Sequence, residues 1–325
     1  MSDFLKKLGV SLERHAPSPR RKYLIGVSGG KDSVALLHGL LNLGYRNLVV
    51  CHFNHGLRGQ ASKTDANFVS RMAKKHALHF ESDKGLTVTY AKKHKLSIEL
   101  AARELRHAFF ARCAKKYGTR KIFLAHHADD QTETCLFNYL RGSGMAGMGG
   151  MRPKSKLSCG RVELEILRPM LAVSRKDIEK FAKENDLTHR EDASNTDLKY
   201  TRNRIRHRVL TYLEKALGRD VRKSILRTAE ILSAEEEWMN EEASRFLLSR
   251  QLSVKTLREL PLALCRRVIR RWLIQEDVPE PDYADVAEAI RLIEPDAKIA
   301  KTNLPEGIHL RRREGVLFLE FPRKS

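Results

Sequence analysis

The feature that most constrains the fold of this chain is an alternation of short apolar runs with longer amphipathic segments. The runs at 22–27, 47–53 and 121–125 have the length of buried strands, and segments with helical spacing separate them. Strands that alternate with helices favour βαβ units and a mainly parallel sheet covered by helices on both faces. We therefore predict an α/β, Rossmann-like fold for the first part of the chain.

The first predicted strand runs directly into the sequence SGGKDS at 28–33. Adjacent glycines permit a tight turn and the close approach of a ligand, and the N-terminus of the helix predicted at 32–43 favours an anion. The motif is not the common P-loop, which reads G-x-x-x-x-G-K-[ST], because the spacing is one residue short and Asp32 follows the lysine. The residues expected to bind phosphate are Ser28, Gly29, Gly30, Lys31, Asp32 and Ser33.

Asp32 makes this turn chemically specific. A carboxylate beside a polyphosphate repels it unless a cation lies between them, and Mg²⁺ commonly binds one or two carboxylates together with phosphates. We therefore expect Asp32 to serve Mg²⁺. A turn that grips pyrophosphate suits the transfer of AMP from ATP. The alternative is an ordinary Ser/Gly turn followed by an acidic residue at a helix N-terminus.

Two further polar stretches end predicted strands, at the edge where ligands bind in open α/β sheets. They are HFNHGLRG (52–59) and AHHADDQTET (125–134). Asp130 and Glu133 are spaced i, i+3 and share a helix face, where they could hold an ammonium group or assist the magnesium. A zinc site is disfavoured, because the two histidines are adjacent and the H-E-x-x-H pattern is missing.

The chain is strongly basic, with a net charge of +21. The segment 199–227 contains ten Lys/Arg and only two acidic residues. The segment 264–273 places four arginines on one predicted helical face. Such clustering favours repeated contact with a polyanion over a generic basic surface. We place a domain boundary near 217, so that 218–325 forms a smaller, mostly helical domain that ends in a β-hairpin turning near Glu314-Gly315.

Several other classes of protein are disfavoured. No apolar run approaches the ~18 residues of a membrane span, and the first residues lack the apolar region of a signal peptide. The five cysteines form no C-x-x-C motif, so we expect small buried thiols rather than disulfides or a zinc knuckle. We expect a soluble cytoplasmic protein. The glycine-rich segment 141–151 is expected to be a mobile loop, either a plain connector or one that orders over substrate.

Together these motifs resemble a known superfamily. SGGKDS is similar to the SGGxDS loop of the N-type ATP pyrophosphatases, the PP-loop proteins, which include GMP synthetase, asparagine synthetase and tRNA thiolases. The two polar stretches, in this order, and the segment EDASNTDLKYTRNRIRHRVL (191–210) resemble the tRNA(Ile)-lysidine synthetases. This likeness extends over about residues 1–215. Longer members carry a second small domain, so the acceptor-stem contacts of the tRNA stay open here.

The resemblance implies a reaction. ATP adenylates the oxygen at carbon 2 of the wobble cytidine in an isoleucine tRNA with a CAU anticodon, the amine of L-lysine attacks carbon 2, and AMP leaves. ATP and Mg²⁺ are the implied cofactors, and L-lysine and tRNA(Ile) the implied partners. Unpaired anticodon bases can be splayed out and read in pockets. The sequence leaves open whether the chain acts as a monomer or a homodimer.

The resemblance also implies roles for individual residues. The segment His52, Phe53, Asn54 and His55 would lie near adenine and ribose. Asp130 and Glu133 would bind lysine, and Arg106 would contact the activated cytidine or its phosphates. The residues expected to contact tRNA are Arg58, Arg202, Asn203, Arg206, Arg266, Arg267, Arg270 and Arg271. For the segment 202–206 the alternative is a solvated basic helix.

Three rival functions remain. A tRNA thiolase of the same superfamily generally needs paired or catalytic cysteines, and an amidotransferase needs a glutaminase domain or partner. The sequence has no C-x-x-C motif, no nucleophile elbow around a cysteine and no N-terminal cysteine, which disfavours both. A non-catalytic RNA-binding protein that holds ATP as a structural ligand fits the basic C-terminal half equally well. Loss of Asp32 separates the last rival from an enzyme, because only an adenylating enzyme depends on that carboxylate for turnover.

Overall fold

A computed structural model of the chain describes residues 1–56, 60–190, 198 and 201–322. It divides into two compact units, Met1–Ala229 and Glu230–Ser325. The division falls inside the helix Val221–Ser244, beyond the boundary expected near 217. Val221 is buried and Arg222 pairs with Asp129, so the beginning of this helix packs as part of the first unit.

The first unit contains a six-stranded sheet in the order β3-β2-β1-β4-β6-β5. Its strands are β1 (Tyr23–Gly26), β2 (Leu48–Asn54), β3 (His79–Lys84), β4 (Lys121–Phe123), β5 (Lys154–Cys159) and β6 (Val162–Leu167). Neighbouring strands are parallel except for the antiparallel pair β5 and β6. The mainly parallel sheet is confirmed. The edge strand β5 escaped prediction because its short KSKLSC sequence is mostly polar and resembles a loop.

Helices cover both faces of this sheet, as predicted. They are α1 (Asp3–His15), α2 (Lys31–Asn42), α3 (Gln60–Lys75), α4 (Thr87–His94), α5 (Ile98–Tyr117), α6 (Ala128–Leu140), α7 (Met145–Met148), α8 (Arg175–Glu184), α9 (Thr201–Arg204) and α10 (Leu210–Leu217), with a π-helical turn at Ile205–Val209 between the last two. Helices α1, α2, α3 and α8 share one apolar core with the sheet, and α5 forms a second core on the opposite face.

Helix α1 was not predicted, and a single glycine explains how it fits. A Cβ at Gly39 of α2 would lie 2.7 Å from a ring carbon of Phe4 and 2.6 Å from Leu8, so only glycine lets the two helices approach this closely. Phe4 then stacks on Phe181 of α8, with ring centroids 4.2 Å apart. This packing fixes α2, which carries at its N-terminus some of the residues expected to bind phosphate.

The glycine-rich segment 141–151 is more ordered than the mobile loop that was expected. It contains the short helix α7, and Gln131 of α6 holds its far end. The amide nitrogen of Gln131 donates to the carbonyls of Gly149 and Met151 over 3.0 and 3.1 Å, and its oxygen accepts from the backbone N–H of Met151 over 2.7 Å. The glycine-rich segment does not form a longer helix, so the buried side-chain amide of Gln131 pairs backbone groups that helical hydrogen bonds would otherwise satisfy.

The second unit is mostly helical, as predicted, and the predicted terminal hairpin belongs to a small four-stranded antiparallel sheet. The end of α11 (Val221–Ser244) is followed by α12 (Val254–Glu259), α13 (Leu262–Gln275) and α14 (Tyr283–Ile293), and the sheet order is β7 (Leu252–Ser253), β10 (Val316–Glu320), β9 (His309–Arg313), β8 (Lys301–Asn303). The terminal hairpin turns at Glu314-Gly315, both with positive φ. Among the described helices, none is both long and apolar enough to cross a membrane.

Candidate active site

The strand order places the predicted motifs at one crevice. Chain order runs outward from β1 to β2 and β3 on one side, and then returns to β4 on the other. This reversal leaves a crevice beyond the carboxyl ends of β1 and β4, where doubly wound folds bind ligands. The turn 28–33 follows β1 and the segment 125–134 follows β4, so both border this crevice.

The turn after β1 has the geometry of an anion-binding loop. Gly29 has φ +95°, and a Cβ at Gly30 would meet no atom within 4 Å except the Ser28 hydroxyl at 3.4 Å. The Ser28 hydroxyl accepts from the N–H of Gly30, and the Ser33 hydroxyl donates to the carbonyl of Gly30. No described side chain caps α2 at this end. The first N–H groups of the helix are therefore available to a phosphate.

Asp32 lies in the first turn of α2 and faces His127, with 3.6 Å between carboxylate and imidazole. Burial acts to raise the pKa of Asp32, but the hydrogen bond and charge of His127, with more distant arginines, lower it below the ordinary value. The carboxylate is therefore ionised and roughly half exposed. No group of three or more potential metal ligands occurs among the described residues. One ionised carboxylate beside a phosphate loop nonetheless fits Mg²⁺, which takes its other ligands from phosphates and water.

His127 is the site residue that the sequence reasoning left without a role. It is buried at the N-cap of α6, with Asp32, Asp129 and Asp130 all within 3.6 Å of its ring nitrogens. Burial lowers the pKa of His127, but these carboxylates outweigh burial and raise it to about 10. When protonated, the ring is a cation among three carboxylates; in this structure Nδ1 accepts the backbone N–H of Asp129 over 3.2 Å, so protonation of Nδ1 displaces this N-cap hydrogen bond. The sequence does contain a sign of these surroundings, because a histidine that directly precedes A-D-D at the start of a helix lies next to acidic side chains.

Asp129 links this cluster to two other elements. The charge and hydrogen bond of His127 lower the pKa of Asp129 to about 2. Its carboxylate accepts the backbone N–H of Arg175 at the start of α8 over 3.2 Å, and pairs with Arg222 over 3.3 Å. Asp129 therefore positions the end of β4 against α8 and α11, a structural task that the sequence did not reveal.

Asp130 and Glu133 do face the same way, and both carboxylates already pair with a cation. Arg206, in the π-helical turn, donates to both oxygens of Glu133 over 2.5 and 3.1 Å and to Asp130 over 3.1 Å. Glu133 is almost fully buried, and burial raises its pKa despite the arginine. The pair thus binds a cation in this structure, although the cation is the guanidinium of a residue expected to contact tRNA.

The segment 52–55 at the end of β2 was expected near adenine and ribose, and its residues have several tasks. His52 is buried, with Nδ1 2.9 Å from the carbonyl of Val27, so it fastens β2 to the end of β1. The Phe53 ring packs against Phe109 of α5. The Asn54 side chain accepts the N–H of Gly56. Of the next residues, His55 lies beside Phe53, and Arg58 lies outside the described residues.

Lys31 and the residues predicted to contact tRNA differ from one another in burial and in the partners of their side chains. Lys31 lies 3.6 Å from Glu179 of α8. Arg202 is exposed, Asn203 is half-buried and Arg106 is half-buried with its Nε unpartnered. The four arginines of α13 do not form one free basic face. Arg266 lies over the ring of Tyr283 and Arg270 is exposed, whereas Arg267 pairs with buried Glu236 and Arg271 donates to Ser244.

Comparison with known proteins identifies relatives over most of the chain. A PP-loop domain matches residues 4–213, and a TilS substrate binding domain matches residues 252–318. The tRNA(Ile)-lysidine synthase of Geobacter sulfurreducens is 38% identical over 322 residues, which cover 95% of this chain and 67% of that protein. The tRNA(Ile)-lysidine synthase of Bacillus licheniformis is 30% identical, with 99% of this chain and 68% of that protein covered.

A solved structure shares the fold at much lower identity. The U34-tRNA thiolase NcsA from Methanococcus maripaludis superposes with a TM-score of 0.56 and 18% identity, over 71% of this chain and 79% of that chain. At this identity the likeness concerns the fold alone, and it does not favour thiolation over other reactions of a PP-loop domain.

Proposed function

The chain belongs to the tRNA(Ile)-lysidine synthase family, and from this premise we propose that it joins L-lysine to carbon 2 of the wobble cytidine of a CAU-anticodon isoleucine tRNA. The reaction consumes ATP and releases pyrophosphate and AMP. The proposal places the enzyme in the cytoplasm with its tRNA substrate. One observation carries it: a phosphate loop with an ionised aspartate and a carboxylate pair that binds a cation border the same crevice.

The first step fits the turn after β1. The oxygen at carbon 2 of the cytidine attacks the α-phosphorus of ATP, and pyrophosphate leaves. The N-terminal N–H groups of α2 and the hydroxyls of Ser28 and Ser33 would bind the departing phosphates. Asp32 would hold Mg²⁺, which neutralises phosphate oxygens when bound. His127, as a buried cation, keeps Asp32 ionised and directed at the loop.

The second step fits the carboxylate pair. The amine of lysine attacks carbon 2 of the adenylated cytidine, loses a proton, and AMP departs with the oxygen. Asp130 and Glu133 would orient the amine and accept its proton, for which the raised pKa of Glu133 suits it. Arg206 must first release these carboxylates. It would then be free to contact the negative charge of the activated nucleotide.

Incorporation of labelled lysine tests the proposal. The substrate is an unmodified isoleucine tRNA transcript with a CAU anticodon, with ATP and Mg²⁺ supplied. We expect incorporation that disappears when the wobble C is changed to U. ATP consumption that depends on tRNA without lysine incorporation would retain adenylation but reject lysine as the nucleophile. A complete lack of ATP consumption would reject the enzyme reading and favour a binding protein.

A further inference from the structure

A cluster of arginines lies on the α5 side of the crevice. Arg103 and Arg106 are on α5, Arg168 directly follows β6, and Arg202 is on α9; we call these four residues the arginine cluster. None of them forms an ion pair with a carboxylate in the part of the chain that the structure describes. Burial and the charges of Arg103 and Arg202 lower the pKa of Arg106, and burial and the charge of Arg103 also lower the pKa of Arg168. The charges of Arg168, Arg106 and Arg202 all act on the neighbouring His126.

The fold brings these residues to the same edge as the active site. β4 and β6 are adjacent and parallel, and the N–H of Leu124 donates to the carbonyl of Leu167 just beyond the paired residues. His126 and Arg168 therefore leave neighbouring strands at their carboxyl ends. Arg106 reaches this edge from α5, which packs over β6. His126 also immediately precedes His127, whose ring lies 3.6 Å from Asp32, so the cluster borders the crevice beyond β1 and β4.

Buried nitrogen atoms of the cluster lack partners. Arg168 is only 8% exposed; its terminal nitrogen donates to the carbonyl of Arg152 and to Ser155, but its buried Nε has no partner. The buried Nε of Arg106 and Nδ1 of His126 are also unpartnered. A buried guanidinium cannot lose its charge at neutral pH, and an unpaired buried donor is costly. Such an arrangement needs an anion to complete it.

The neighbouring histidines do not add to this charge. Burial, followed by the charges of Arg168 and Arg106, lowers the pKa of His126 to about 3. Burial and the charges of Arg106 and Arg103 lower the pKa of His107 to about 4. Both rings are neutral at physiological pH. They offer uncharged hydrogen-bonding nitrogens beside the cations.

We propose that the arginine cluster binds a phosphodiester group next to the wobble nucleotide of the anticodon loop, with Arg168 as a positioning residue that aligns the cytidine for adenylation. The inference rests on the proposed function. Guanidinium groups match phosphate oxygens in geometry and charge. The exposed Arg103 and Arg202 extend the cluster from half-buried Arg106 and buried Arg168 toward solvent, which suits a continuous nucleic-acid backbone better than the single carboxylate of free lysine.

The test measures the affinity of an anticodon stem-loop RNA in the absence of ATP and lysine. One phosphodiester at a time, on either side of the wobble nucleotide, is replaced by an uncharged methylphosphonate. For the wild-type protein we expect about a tenfold loss at one of these linkages, the size of one charge-assisted contact. Arg168→Gln should lose about tenfold with natural RNA, and nothing further with the uncharged linkage.

Two more variants keep the test decisive. Arg103→Gln changes an exposed side chain that folding does not require, and it should show a smaller loss that also vanishes with the uncharged linkage. Lys115→Gln removes an exposed cation from the distant end of α5 and should leave the methylphosphonate effect unchanged. If Arg168→Gln with the neutral linkage lost as much affinity as the product of the two separate losses, the side chain and the phosphate would act independently. That result would overturn the proposal. So would a raised KM for lysine with unchanged RNA affinity, which would assign the cluster to the lysine carboxylate.

The same design separates this inference from the proposed function. Binding of the stem-loop is measured without chemistry, so a failure to incorporate lysine leaves the phosphate coupling to be judged on its own. Conversely, an active ligase whose RNA affinity is insensitive to both flanking linkages would retain the function and reject the site.

Discussion

Asp32 is a residue that the proposed chemistry needs but that RNA binding does not. Asp32→Asn keeps the size of the side chain and removes the charge that would hold Mg²⁺ beside the phosphates. We expect lysine incorporation to fall at least about 100-fold, because an electrostatic contact that acts on developing charge is lost. The affinity for tRNA, measured by filter binding, should stay within a few-fold.

The control for this change is Asp3→Asn, which alters an exposed aspartate in the first turn of another helix. It should leave both quantities unchanged. Near-normal turnover in Asp32→Asn would remove the magnesium role from this residue, and equal losses of turnover and tRNA affinity would indicate a damaged fold.

His127 is expected to stabilise the first unit through its charge. His127→Gln leaves three carboxylates without their buried cation, and we expect the free energy of unfolding to fall by about 3 kcal/mol. Because the folded pKa, about 10, lies above the ordinary 6.5, the stabilisation is fully present below pH 6.5 and is lost as the pH rises through about 10. Thermal unfolding of both proteins at pH 6 and at pH 10 measures this difference.

His38 provides a control of opposite sign. Burial and the nearby His76 lower its pKa to about 4, so stability linked to His38 is present above pH 6.5 and is lost as the pH falls through about 4. His38→Gln should therefore change the acid side of the stability profile. A difference between wild type and His127→Gln that is the same at pH 6 and pH 10 would contradict a charged His127.

At the scale of a helix, α13 combines two kinds of arginine. Arg267 pairs with Glu236, which is buried, and Arg271 donates to Ser244, so these two hold α13 to α11 within the second unit. Arg266 lies over the ring of Tyr283 and Arg270 is exposed, and we expect these two to contact tRNA. A double change to glutamine at positions 266 and 270 should weaken tRNA binding with little change in the melting temperature.

The matched double change at positions 267 and 271 should do the reverse. Glu236 would be left buried without its cation, which we expect to cost about 3 kcal/mol of folding free energy in the second unit. Circular dichroism melts and tRNA binding measured on both double variants decide the matter. If the second pair weakened tRNA binding in a fully stable protein, the contacts of α13 with α11 would not explain its arginines.

The glycine-rich segment offers a comparison of two glycines that both have positive φ. Gly142 has φ +74° with open space around its Cα, whereas a Cβ at Gly150 would lie 2.7 Å from the sulfur of Cys135 and 2.8 Å from Gln131. Gly142→Ala should cost about 1 kcal/mol through backbone strain alone. Gly150→Ala adds a clash in the packed interior, typically about 1–3 kcal/mol. Equal melting temperatures would show that α7 and Gln131 do not hold this segment.

Over the whole molecule, the sequence predicted what depends on local pattern. The parallel sheet followed from apolar runs, and the phosphate turn from two glycines and Asp32. Contacts made across distant segments were not predictable. Arg206 pairs with Glu133, which lies 73 positions away in the sequence, and Arg267 pairs with Glu236, which lies 31 positions away. A helical projection shows which side a charge is on, but it does not show which partner the fold brings there.

The net charge of +21 leads to a prediction at the scale of the molecule. Each phosphate that a lysine or arginine contacts releases counterions, so the logarithm of the tRNA affinity should fall linearly with the logarithm of salt concentration. If about six or more phosphates are contacted, raising salt from 50 to 200 mM should weaken tRNA binding by about 10³-fold. The KM for ATP, which in the proposed site depends on backbone N–H groups of α2 and on Asp32, should change far less. A flat salt dependence would show that the basic segments do not contact RNA, and an equally steep one for ATP would point to a general effect of salt on the fold.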